Sequence, residues 1–375
     1  MDVRVLLLSP LNKRSGNLAT IQRIRHELEA GGLDCVLSGP DHPPGGGDWN
    51  DYIRDAGISV AVGIHAFKCG IVLKDLSCPY ILIVGGTDVN GAPENGCQED
   101  VMTQAVRGAG PVVAFSEAMA DACRQRWAYL EEERLSVIPQ GVEVLPRSTF
   151  RIKHYIRENV LSIPAHCPQN PLPVMMKFEE FLAQPIESLQ LITWVGGIRA
   201  VKDPLFVMEP FAKWRLATKR MNCYMVLIGS KLDEPYFQRF YAALSRCPGV
   251  VYVGGLDHED AQAAVSVSKA LVNSSVSEGM ALSLLEAMAL GTPVLARKIP
   301  GNAAIVEDGT TGFLFDTAEE FSSKLETIFV DAEARKSVTS RARAYVTEKH
   351  SLEAEQAAYV RLVHKALNNF RVMSS

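Results

Sequence analysis

The chain has 375 residues, 47% of them hydrophobic, and a net charge of −5 at neutral pH. That length and apolar content suffice for two domains of ordinary size, and the acidic balance excludes a broad electrostatic grip on nucleic acid. The opening MDVRVLLLSP is too short and too charged for a signal peptide, and no window approaches the roughly 18 apolar residues of a membrane span, so a cytoplasmic chain without an integral membrane segment is expected. The cysteines are scattered with no C-x-x-C pair, which predicts reduced thiols packed as small hydrophobes. The histidines lack metal-ligand spacing, so no metal is expected.

In chain order, VRVLLLS (3–9) reads as a strand and NLATIQRIRHELEAGG (17–32) as a helix ended by glycines. CVLSG, ISVAVGI, YILIVGG and PVVAF follow as strands with helices between them. This βα alternation predicts a doubly wound parallel sheet. SEAMADACRQRW (116–127) reads as a helix capped by Ser116. Residues 149–188 are rich in proline and without a clear period, and read as a linker or insertion with some helix around KFEEFLA. A second series then begins: LQLITWVGG, MNCYMVLIGS, VVYVGG, ALVNS, TPVLA and GFLF. The expected fold class is α/β, with an N-terminal Rossmann-like domain over 1–148 and a second over 189–350. A ligand cleft is expected between them. The terminal helix, 352–370, fits either domain.

One stretch carries most of the chemistry. In VSEGMALSLLEAMALGTPVLA (276–296), ALSLLEAMAL reads as an apolar helix with Gly291 as its C-cap and Pro293 beyond. No good capping residue stands directly before Ala281, so the first-turn N–H groups need a partner, and a phosphate fits. Glu286 lies about one turn inside that helix. There it either meets the vicinal hydroxyls of a ligand's ribose or forms a structural pair with a core cation. Glu278, on the preceding loop, faces another part of the ligand or solvent.

A second stretch, WVGGIRAVKDP (194–204), leaves a strand through two glycines. Asp203 reads as an N-cap and Pro204 as the first residue of the next helix. Arg199 and Lys202 crowd that helix start, where cations are misplaced unless an anion sits there too.

The spacing E-x7-E from Glu278 to Glu286, the following AMALGTPVLA, the later DGTTGFLF and the upstream GIRAVKDPL resemble the retaining GT-B glycosyltransferases of group 1 (GT4-like). The resemblance spans about residues 190 to 345. It implies two Rossmann-like domains and a nucleotide-diphosphate sugar, UDP- or GDP-linked, as co-substrate rather than a bound cofactor. Arg199 and Lys202 would hold the diphosphate, with the backbone of Gly279, Met280, Ala281 and Leu282 adding N–H groups. Glu286 would take the ribose and Glu278 the donor sugar. Gly197, Gly229, Gly254 and Leu256 would border the nucleotide.

In the N-terminal half, SPLNKRSGN (9–17) stands where relatives have a glycine-rich turn, with Gly16 as the residue of close approach. GGTDVN (85–90) carries Gly85 where many relatives have a histidine. Asp88 follows as a catalytic candidate, or as a turn or cap residue. His65, after AVGI, is a second candidate, or a structural histidine. VIPQGVEV (137–144) resembles the family's IP-N-G-V turn, with Gln140 in place of asparagine.

The implied reaction is metal-independent glycosyl transfer with retention, to an acceptor that the sequence does not name. The rivals are a nucleotide-sugar-binding protein that has lost catalysis, and another GT-B enzyme such as an epimerase or a pyridoxal-dependent phosphorylase.

Overall fold

The computed structural model describes residues 3–11, 16–91, 96–160 and 178–374. Residues 12–15 of SPLNKRSGN and 161–177 of the 149–188 insertion lie outside the described residues.

Twelve strands form two sheets among the described residues. The first holds β1 (Arg4–Leu8), β2 (Asp34–Ser38), β3 (Val60–Ile64), β4 (Tyr80–Ile83), β5 (Val112–Ala114) and β6 (Leu135–Val137), in the order β2-β1-β3-β4-β5-β6. The second holds β7 (Gln190–Val195), β8 (Cys223–Ile228), β9 (Val250–Tyr252), β10 (Ala270–Asn273), β11 (Val294–Arg297) and β12 (Phe313–Phe315), in the order β12-β11-β10-β7-β8-β9. Every pairing is parallel. Parallel strands are covered on both faces and so read as continuous apolar runs. All five residues of β3 and all six of β8 are buried. The sequence reading missed β6. It is three half-buried residues, LSV, too short and too polar to show a pattern.

The chain divides into two compact units: Met1–Gly141 with Glu278–Met280 and Lys349–Ser375, and Val142–Ser277 with Ala281–Glu348. In the first, Tyr359 and Val363 of the helix Leu352–Ser374 join Val5, Leu7, Ile24 and Val62 in one core. In the second, Trp194, Phe211, Phe240 and Phe321 fill the space between β-strands and helices.

Each strand order reverses at one place. In the first sheet the reversal lies between β1 and β3, and in the second between β7 and β10. Crossovers leave such a point on opposite faces, so the loops at its carboxyl ends part and open a crevice. The chain leaves β3 at His65, β7 at Gly196 and β10 at Ser274. Six of the seven described cysteines are buried and all seven are unbridged. Among the described residues, no helix is long and apolar enough to cross a membrane.

Candidate functional site

In the second unit the loops leaving β7 and β10 are stitched together. The Ser274 hydroxyl donates to the Lys202 carbonyl (3.0 Å) and accepts from the Trp194 indole N–H (2.9 Å). The backbone N–H of Val276 donates to the Val201 carbonyl (2.9 Å). These bonds hold the turn carrying Arg199 and Lys202 against the segment that leads into the helix Leu282–Leu290. Arg199 is exposed and Lys202 half-buried.

The glycines here have different reasons. A Cβ on Gly229 would lie 1.7 Å from the Gly196 carbonyl oxygen, and one on Gly197 would lie 2.2 Å from Leu232. Gly254 needs its freedom for a positive φ, and its carbonyl accepts from the Gly229 N–H (2.8 Å). Leu256 is half-buried, packed against the neighbouring core.

Asp203 does not cap the following helix as expected. It sits in the left-handed region (φ +40°), and the helix Leu205–Ala217 begins after Pro204 without a side-chain cap. Its carboxylate is taken instead by the Tyr236 hydroxyl (3.0 Å) and Arg297 (3.2 Å), both distant in sequence.

The helix Leu282–Leu290 starts at a buried Ala281 with no side-chain cap and ends at Gly291 in the left-handed region (φ +78°), as its sequence predicts. Glu286 sits one turn in, with its side chain 12% exposed. Its Oε1 accepts from His258 Nε2 (2.5 Å) and Gln262 Nε2 (3.2 Å). The pairing is with a half-exposed imidazole and an amide, not with a core cation. A small pocket of about 30 Å³ opens between Val195, His258, Gln262, Ser283 and Glu286. His258 and Gln262 were not singled out from sequence, although the first lies two residues after Leu256, in the loop GGLDHED (254–260). Histidine at the start of a helix is common, and nothing local ties it to a carboxylate 28 residues away.

In the first unit, His65 and Asp88 come together. Asp88 is 1% exposed, and its Oδ2 accepts from the backbone N–H groups of Ala66 (2.8 Å) and Gly85 (2.8 Å). Its other oxygen, Oδ1, is buried without a donor in line and lies 2.7 Å from His65 Nδ1. Asp88 thus caps the short helix Gly86–Asn90 and touches the imidazole as well. His65 has φ +86°, one of three non-glycine residues with positive φ among the described residues. Its Nε2 is 3.3 Å from the Thr87 hydroxyl. Gly16 is the exposed first residue of the helix Gly16–Ala30, and a Cβ there would meet nothing within 4 Å. Among the described residues, no protein atom requires a glycine at position 16. Glu278, Gly279 and Met280 group with this first unit, where Asn90 Nδ2 donates to the Glu278 carbonyl (3.3 Å). Ser116 caps the helix Glu117–Arg126 as expected. Gln140 is buried, its side-chain oxygen accepting from Thr20 (3.0 Å) and Arg23 (3.3 Å).

Comparison with known proteins shows the family and the fold. The family described as "Glycosyl transferases group 1" matches residues 178–345. The chain is 31% identical, over 96% of its own length and 97% of the other's, to "Glycosyltransferase 1 domain-containing protein 1" of Xenopus tropicalis. The chain belongs to the glycosyltransferase group 1 family. Among solved structures, this group 1 chain is similar in fold to Anabaena Alr3699/HepE in complex with UDP and glucose, with TM-score 0.73 and 16% identity over 96% of this chain and 99% of that one. It is equally similar to the sucrose-phosphate synthase of Thermosynechococcus elongatus, with TM-score 0.73 and 15% identity over 98% and 100% of the two chains. Both likenesses show the two-domain GT-B fold. The family match covers the whole β7–β12 sheet, which carries Arg199, Lys202 and Glu286.

Proposed function

We propose that this glycosyltransferase moves a sugar from a nucleotide-diphosphate donor to an acceptor with retention of configuration and without a metal. The observation that carries the reading is the stitched pair of loops at the strand-order reversal of the second sheet. It sets two cations, Arg199 and Lys202, beside the segment leading to an uncapped helix with a carboxylate one turn inside. An uncapped helix start attracts anions, and an arginine fork suits phosphate oxygens. In this reading those groups hold the diphosphate and stabilise its charge as it leaves, the term that contributes most in such transfers. The cations do the work that a metal does elsewhere. Glu286 takes the ribose hydroxyls and Glu278 the donor sugar. Gly197, Gly229, Gly254 and Leu256 border the nucleoside, and the backbone from Gly279 to Leu282 supplies further N–H groups. His65 and Asp88 take part in the chemistry. The UDP and glucose bound to Alr3699/HepE support a nucleotide-sugar donor here, by fold alone.

A second reading rests on Gly85, where many relatives have a histidine: a protein that binds donor and turns it over slowly or not at all.

Calorimetry with UDP and GDP in EDTA tests the donor site. The wild type should bind one of them. Glu286→Gln should weaken that binding while leaving a 2′,3′-dideoxy analogue nearly unaffected, because a hydrogen bond to a charged group is worth about 1.5–3 kcal/mol. Strict dependence on a divalent cation, or equal losses for both ligands, would overturn it. Consumption of the bound donor, with a broad acceptor panel supplied, separates the enzyme from the binding protein.

A further inference from the structure

Asp203 closes the turn that carries Arg199 and Lys202, and it does so in a backbone conformation that side chains resist. The Arg199 carbonyl accepts from the Lys202 N–H (3.1 Å) and from the Asp203 N–H (3.3 Å), so the turn is one tight coil. Asp203 ends that coil at φ +40° and ψ +56°. Aspartate visits the left-handed region more readily than most residues, but glycine takes it without strain. A bend alone is served best by glycine. An aspartate at this position calls for a reason in its side chain.

That side chain is held from two sides. Oδ1 accepts from the Tyr236 hydroxyl (3.0 Å), and Tyr236 is buried in the first turn of the helix Glu234–Leu244. Oδ2 accepts from Arg297 Nη1 (3.2 Å), at the end of β11. The Arg297 guanidinium lies over the Phe206 ring, 4.2 Å from its centroid, and the flat ring fixes the plane of the fork. The same Nη1 reaches the Ser274 carbonyl (3.4 Å), and the hydroxyl of that serine is bonded to the Lys202 carbonyl. Asp203 and Arg297 keep 24% and 23% of their side chains exposed, and an ion pair in contact with water adds little to stability. What the pair supplies is geometry. A helix and a strand end distant in sequence converge on one carboxylate and set the direction of the turn.

We infer that Asp203, clamped by Tyr236 and Arg297, is the positioning residue of the diphosphate site. It holds the turn so that Arg199 and Lys202 meet one ligand together. The inference rests on the reading that those two cations hold the diphosphate. Long cationic side chains on a loose turn have to be ordered at each binding event, and that ordering is subtracted from affinity. A turn fixed beforehand avoids the loss. The clamp therefore acts on the phosphates and not on the nucleoside.

The test is calorimetry with UDP and with uridine, or with GDP and guanosine if those bind. Wild type is compared with Lys202→Ala, Asp203→Gly, Asp203→Asn, Arg297→Met and the double variant Asp203→Asn with Arg297→Met, with melting temperatures beside them. Asp203→Gly keeps the bend and removes the carboxylate. Asp203→Asn keeps an acceptor for Tyr236 and removes the charge that Arg297 meets. Each clamp variant should weaken UDP on the order of tenfold, a part of what losing a whole charged contact does, and leave uridine within about twofold. The double variant should lose no more than the weaker-binding single variant, because either change opens the same clamp. Wild-type UDP affinity in Asp203→Gly would show that only the bend matters, and the clamp falls. If the losses of Asp203→Asn and Arg297→Met multiply in the double variant, Arg297 acts apart from Asp203, and the clamp falls again. Equal losses of UDP and uridine with a lowered melting temperature mean a structural pair, and also overturn it. If Lys202→Ala weakens UDP more than uridine while the clamp variants change nothing, the diphosphate reading stands and only the clamp falls. If Lys202→Ala weakens both ligands alike or neither, the diphosphate reading falls and the clamp with it.

Discussion

Asp88 shows how one side chain serves both fold and site. One oxygen satisfies two backbone N–H groups, and the other meets the His65 imidazole in a place closed to solvent. His65 holds a left-handed backbone that costs a non-glycine residue about 1–3 kcal/mol, and such strain collects at functional positions. A buried carboxylate against a histidine fixes the ring's orientation. Asp88→Asn keeps a similar shape and removes the charge. Turnover should fall on the order of 10²-fold, the lower end of what a positioned acid–base group contributes, while nucleotide affinity stays the same. Steady-state kinetics beside calorimetry reads this. A parallel loss of both would mean that Asp88 only supports the fold.

Among the elements, the exits of β7 and β8 are the least forgiving. The Gly196 N–H is bonded to the Ile228 carbonyl (2.9 Å), and Gly229 is bonded to Gly254 (2.8 Å). With both neighbours tied to the sheet, a methyl at position 229 has no soft atom to push, because what it meets is the Gly196 carbonyl. Gly229→Ala should destabilise the second unit by about 1–3 kcal/mol, the cost of overpacking, and displace the turn that carries Arg199. Denaturant melts and UDP or GDP titration should both register the change. A variant of wild-type stability and affinity would show that the turn is soft.

At the scale of the whole molecule, the first unit is closed by the far end of the chain. Glu355, on the helix Leu352–Ser374, takes Arg23 in a two-point pair (2.8 and 3.0 Å) and the Gly141 N–H (2.8 Å). Glu27 lies beside them, 5% exposed. Burial, then the neighbouring Glu355 carboxylate, push Glu27 up from 4.5 to about 9, against the pull of Arg23. The sign follows from linkage. Above pH 4.5 the unfolded chain has lost this proton while the folded chain keeps it, so stability falls as pH rises towards about 9. Glu27→Gln keeps the neutral shape. Its melting temperature should exceed wild type at pH 8, and the gap should close towards pH 4.5. If the variant is less stable by the same margin at both ends, Glu27 is ionised and paired with Arg23, and the shift is absent.

The amino-acid sequence by itself determined eleven of the twelve strands, because a strand buried on both faces has to be apolar throughout. It also determined the end of the helix Leu282–Leu290, because Gly291 adopts a conformation that other residues resist, and the lack of a side-chain cap at the helix start. Glu286 was conspicuous as a carboxylate in an apolar helix. The tertiary structure alone decided who meets it. His258 and Gln262 arrive on another helix, brought there by the strand order. The same holds for Asp203, whose local sequence says cap and whose partners, Tyr236 and Arg297, come from 33 and 94 residues away. It holds too for His65 and Asp88, 23 residues apart beyond the ends of adjacent strands. Periodicity and capping act over a few residues and can be read along the chain. A polar partner across a sheet depends on which strands become neighbours, and only the folded chain sets that.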